Sequence, residues 1–194
     1  MVKRLTLACV SLGFACRPAL AHEIGFGEQV LQPVTIFHSL LALLAVGLLL
    51  SQQPSFTIDK RLAIAMGLGL SSGLGIKVLF NPSPIEMIFA AGIAALAGIL
   101  VAISRPLPKM FLSTLAPALG IAIGSNLSFE STDFYDLSQT LLGACAGSLV
   151  ALLLVTTTPG PTDKAWYQIG IRILGSWICA CAIMIMALEM RNLI

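Results

Sequence analysis

Charge is what this chain has least of. Of its 194 residues, 11 are Lys or Arg and 9 are Asp or Glu, together 10% of the sequence, whereas soluble domains run nearer a quarter. Histidine occurs twice, at His22 and His38. The near balance of charge, formally +2, excludes a nucleic-acid binder. No Gly-rich phosphate loop is present, and a single histidine inside an apolar segment is too little for an intramembrane serine–histidine protease. An enzyme is therefore not expected. Hydrophobic residues make up 57%, and mean hydropathy is +0.95. With 17 glycines and only 7% aromatics, the sequence suits closely packed membrane helices rather than a β-barrel. Its solvent is the lipid bilayer.

The amino-terminal segment reads as a cleaved signal peptide, residues 1–21. Lys3 and Arg4 form the basic start, Leu5 to Ala15 the apolar core, and Ala19-Leu20-Ala21 the small-x-small cleavage site. Cleavage removes Lys3, Arg4 and Arg17, so the mature chain is slightly acidic. Six apolar segments follow, at Val34–Leu50, Leu62–Phe80, Ile85–Ser104, Met110–Gly124, Leu137–Thr157 and Trp166–Leu188. Spans of roughly 20 residues leave room only for short loops. The expected fold is an all-α integral membrane protein, one compact bundle of six transmembrane helices over residues 22–194. Lys60, Arg61, Arg105, Lys109 and Lys164 all fall in loops on one side. The positive-inside rule makes that side cytoplasmic. Both mature termini then face the periplasm, and the protein belongs to a bacterial inner membrane.

Four ionisable residues lie inside or at the ends of the spans: His38, Lys77, Glu86 and Arg172. Such positions are costly in lipid and are functional candidates by default. His38 offers an imidazole for a metal, a proton relay or a helix–helix hydrogen bond. Glu86 follows Ser83-Pro84-Ile85, a capping box with proline at the first helical position. Lys77 ends the preceding span, where it suits the helix dipole, and the short Asn81–Pro84 connection brings it towards Glu86 as an ion pair. Arg172 is expected to snorkel to headgroups. Cys145, Cys179 and Cys181 read as packing residues, since Cys179 and Cys181 point to opposite faces of one helix. After cleavage His22 would be the first residue, presenting an amine and an imidazole to one metal ion.

The order of these features resembles the HupE/UreJ family of small membrane proteins, nickel or cobalt permeases that serve hydrogenase and urease maturation. The family's first-span motif, His-Pro-x-x-Gly-x-Asp-His, is matched by Gln32-Pro33-Val34-Thr35-Ile36-Phe37-His38, and its Ala-Val-Gly tail by Ala45-Val46-Gly47. Pro84-Ile85-Glu86 is similar to the family's third-span entry. The departures fall on ligand positions. Gln32 and Phe37 replace a histidine and an aspartate. Leu119, Ile121 and Ile123 stand where the fourth span carries histidines, and Ser148 where the fifth carries one.

The resemblance implies Ni²⁺ or Co²⁺ as transported ion, His38, Glu86 and His22 as metal ligands, Gln32 and Lys77 as a supporting polar cluster, and metalloenzyme-maturation proteins as partners. Nickel and cobalt need several converging imidazole and carboxylate ligands, and few remain here. Two readings stand at this point. One is a divalent-ion permease with an outward-facing vestibule; the other is a non-transporting scaffold or accessory protein of the same fold.

Overall fold

A computed structural model describes residues 26–53, 60–80, 85–129, 132–157 and 165–192. Its regular structure there is entirely helical: α1 Phe26–Thr35, α2 Phe37–Ser51, α3 Lys60–Phe80, α4 Ile85–Ile103, α5 Lys109–Asn126, α6 Phe134–Thr157 and α7 Ala165–Asn192. The helices α3, α4, α6 and α7 are long and apolar enough to cross a membrane, and α1 with α2 meets the same test as one bent pair. The apolar run of α5, Met110–Asn126, is shorter. The protein is an all-helical, multi-pass membrane protein. The signal segment 1–21, His22 and the Ser83-Pro84 part of the capping box lie outside the described residues.

The expected first span, Val34–Leu50, is not a single helix. The chain turns by 72° between α1 and α2, with Ile36 in an extended conformation at φ −79° and ψ 110°. The local cause is readable. Pro33 brings no amide to the ladder, and Val34, Thr35 and Ile36 are three successive β-branched residues with restricted side-chain torsions in a helix. One bond survives on each side of the turn: the Ile36 amide donates to the Gln32 carbonyl at 3.1 Å, and the Leu40 amide to the Ile36 carbonyl at 2.9 Å. Hydropathy averaged over a span does not register this break, because α1 and α2 together remain apolar enough to cross a membrane. Elsewhere the helices run slightly beyond the expected spans, α6 starting at Phe134 and α7 continuing to Asn192.

Backbone proximity holds the bundle together. α3 and α5 run in the same direction, and each places a Gly-x-x-x-Gly pair against the other. A Cβ on Gly69 or Gly73 would fall on the carbonyls of Pro117 and Ile121, and one on Gly120 or Gly124 on those of Met66 and Leu70. Without a hydrophobic drive between helices in lipid, such close approach supplies the dispersion contacts that associate them. Gly98 of α4 meets the Gly175 carbonyl of the antiparallel α7, and Gly143 and Gly147 of α6 meet Gln29 and Val30 of α1. The spaces between are filled by Leu43, Leu49, Met66, Leu70, Leu112 and Leu119, all fully buried.

This geometry sorts the glycines. Gly120→Val forces a branched side chain into the α3 backbone and should cost about 3 kcal/mol or more. Gly75→Ala and Gly170→Ala, where an added Cβ meets nothing within 4 Å, should be neutral or stabilise by up to about 1 kcal/mol. Thermal unfolding of the purified variants in detergent reads the difference.

Candidate functional site

The helix directions put polar residues of two kinds at opposite ends. At the basic end, Lys60 and Arg61 begin α3 and Arg105 follows α4. There the two residues that follow α2 close the exposed end of α4. Gln52 Nε2 donates to the Val101 carbonyl at 3.2 Å, and Gln53 accepts the Leu107 amide at 3.1 Å while donating to the Arg105 carbonyl at 3.4 Å. Ser104 takes a left-handed conformation, φ 53°, at the turn. Arg172 does more than snorkel: its Nε donates to the Ala102 carbonyl at 2.9 Å, tying α7 to the same helix end. Cations there complement the C-terminal dipole of α4.

The other end gathers the sequence candidates. His38 opens α2, Lys77 lies in the last turn of α3, Glu86 in the first turn of α4, and Asn126 closes α5. Asn126 is the hub. Its Nδ2 donates to the Ala122 carbonyl at 2.7 Å and to the Glu86 carbonyl at 3.3 Å. That fixes the amide orientation, so Oδ1 faces the imidazole and accepts from His38 Nε2–H at 2.8 Å. Lys77 Nζ lies 4.0 Å from Glu86 Oε2, the pair expected from the short connection. Gln32 Nε2 donates to the Ser128 carbonyl at 3.1 Å, pinning α1 to the segment after α5. Glu189 of α7 and Lys77 are both within electrostatic reach of His38.

The positions where a metal-binding relative would carry ligands behave differently. Leu119 and Ile123 are 0% and 1% exposed and belong to the apolar core. Ile121 is half-buried, and its carbonyl packs on Gly73. Phe37 is 58% exposed, so the aromatic that replaces an aspartate turns away from the interior. Ser148 is fully buried in α6. Cys145, Cys179 and Cys181 are half-buried free thiols, as packing residues would be. Among the described residues no group of three or more His, Cys, Asp and Glu side chains is placed to hold a metal ion. His38 and Glu86 do not by themselves make a nickel-type site.

Asn126 escaped the reading of the sequence because a search for intramembrane charge passes over a neutral amide. Its signal is the Gly124-Ser125-Asn126 ending that follows an apolar run from Leu115 to Ile123, where a carboxamide can donate to carbonyls and accept from a neighbour at once. Comparison with family models, curated proteins and solved structures finds no match to this chain.

Removing the hub leaves the imidazole without its partner in a poorly solvated setting and unties α5 from the start of α4. Asn126→Ala should destabilise by about 1–3 kcal/mol, and His38→Ala by less, since it leaves the bonds to Ala122 and Glu86 intact. Lys77→Met and Glu86→Gln should be non-additive, with a coupling of about 0.5–1 kcal/mol in a double-mutant cycle of thermal stabilities. Additive losses would contradict the pairing.

Proposed function

We propose that this chain is a six-span inner-membrane protein of the HupE/UreJ type that acts as a non-transporting scaffold or accessory protein. In this reading residues 1–21 are a cleaved signal peptide. The bent pair α1–α2 and the short helix α5 each count as a span, and both mature termini face the periplasm with the His38 end. One observation carries it: among the described residues, the two expected ligands are already engaged inside the protein. His38 is held by Asn126 at 2.8 Å and Glu86 by Lys77 at 4.0 Å. A lysine ammonium beside the carboxylate supplies its counter-charge and repels an arriving divalent ion. The aliphatic Leu119 and Ile123 fill the adjoining core, so α5 offers no histidine ladder along which an ion would pass.

The permease reading keeps one specific support. Glu86 Oε1 and Gln32 Oε1, at the same end, are buried oxygens without a hydrogen-bond partner and retain the capacity to face a cation. It predicts inward movement of Ni²⁺ or Co²⁺ through that end, with His22 as a capture site. Under either reading, metalloenzyme-maturation proteins are the partners that the family resemblance suggests.

Radiolabelled nickel uptake decides between them. Cells expressing the chain should accumulate nickel at the vector background, with His38→Ala indistinguishable from the parent. Uptake well above background that falls in His38→Ala would establish the permease instead. Orientation is tested separately. Alkaline phosphatase fused after Asp133 should be active outside the cytoplasm, and the same reporter fused after Arg105 should be inactive.

A further inference from the structure

Hydroxyls on these helices follow a rule with three exceptions. Every other Ser or Thr on a described helix, from Thr35 and Ser51 to Thr157 and Ser176, donates to a backbone carbonyl three or four residues back. That is the usual way to satisfy a hydroxyl within a helix in lipid. Ser39, Thr140 and Ser148 do not. They are also the most enclosed, each 0% exposed. Their oxygens are enclosed and have no hydrogen-bond partner, and neither has Gln29 Oε1, on a residue 4% exposed.

These oxygens lie where α1, α2 and α6 meet. Gln29 packs on Gly143, one turn beyond Thr140, and Val30 on Gly147, next to Ser148. Gly47 of α2 packs against Val155 of α6, and the two helices run in the same direction. Ser39 lies in the first turn of α2, three residues past the break at Ile36, and is wholly buried. Thr140 and Ser148 mark a stripe about 12 Å long at 1.5 Å per residue. The break at Ile36 adds main-chain oxygen. The last carbonyls of α1, Pro33 to Thr35, lose the amides that a continuous helix would bring to them.

A hydroxyl can donate as well as accept, and two features favour a cation over an anion as the missing partner. The buried side-chain atoms left without a hydrogen bond among the described residues are all oxygens, and none is a nitrogen donor. In addition α1, α2 and α6 carry no Lys or Arg, whereas they carry Glu28 and Asp136. Neutral hydroxyl, carboxamide and carbonyl oxygens suit a hard ion of low charge. Carbonyls freed where a membrane helix unwinds are a recurring way to hold one. We propose that the break between α1 and α2, with the facing stripe of α6, binds a dehydrated monovalent cation of the size of Na⁺. Gln29, Ser39, Thr140 and Ser148 are its side-chain ligands. The site shares no side-chain ligand with the His38–Asn126 cluster and is independent of whether the chain moves a divalent ion.

The test uses the full chain purified in detergent, its unfolding followed by tryptophan fluorescence in equal concentrations of NaCl and choline chloride. Saturating Na⁺ should raise the melting temperature by about 5 °C over choline. Thr140→Val and Ser39→Ala should each remove more than half of that rise, whereas Ser72→Ala, whose hydroxyl is exposed and bonded to Leu68, should keep it. Identical melting in the two salts overturns the proposal, as does a full Na⁺ response in both site variants. Direct binding of radiolabelled Na⁺ to the wild-type protein keeps the proposal testable if either variant fails to fold. Saturable binding competed by unlabelled Na⁺ and not by choline is expected, and its absence overturns the site.

Discussion

The near contact of the α3 and α5 backbones sets the position of almost everything else at the polar end. Gly73 faces the Ile121 carbonyl and the Ser125 amide, one turn before Lys77 on one helix and one residue before Asn126 on the other. With no side chains between them the two helices cannot slide or roll independently. The lysine that meets Glu86 and the amide that meets His38 are thus carried on one rigid unit. A larger residue at any of the four glycines would separate the helices and move both polar contacts together. In lipid, where apolar side chains gain nothing by leaving the solvent, this fit of backbone to backbone takes over the role of a hydrophobic core.

The His38–Asn126–Glu86 arrangement shows how a membrane bundle tolerates polar atoms. Each hydrogen bond joins different elements: the imidazole of α2 to α5, the amide of α5 to the start of α4, and Gln32 of α1 to the segment beyond α5. The ion pair of this cluster lies at helix ends, where both dipoles favour it. Lys77 lies in the last turn of α3 and Glu86 in the first turn of α4. The opposite end uses amides for the same purpose, with Gln52 and Gln53 satisfying the carbonyls and the loop beyond α4. Both ends use neutral amides, which a search for intramembrane charge passes over.

That explains which parts of the molecule were legible beforehand. The spans around α4, α6 and α7 were readable because long apolar runs end abruptly at Pro, Asp or charged residues. The Lys77–Glu86 pair was readable because a four-residue connection leaves its ends little freedom. The bend at Ile36 was not, since a run of β-branched residues after a proline changes backbone preference without changing hydropathy. Asn126 was missed for a related reason. Its importance comes from three carbonyl and imidazole partners that only the tertiary arrangement assembles. The resemblance pointed to Leu119, Ile121 and Ile123 as places where ligands were lost. What occupies that volume instead, the tight α3–α5 seam and its leucine core, needed the fold.

The strongest contacts all skip along the chain: α3 with α5, α4 with α7, α1 with α6 and α2 with α4. Helices that follow one another in sequence share comparatively little surface. A bundle of this kind does not assemble from consecutive hairpins as they leave the ribosome. α3 must wait in the bilayer until α5 has been inserted past α4, and α4 finds its main partner only when α7 arrives. The native arrangement therefore waits on α7, and without it Gly98 of α4 would stand unpaired in the membrane, open to the wrong neighbour.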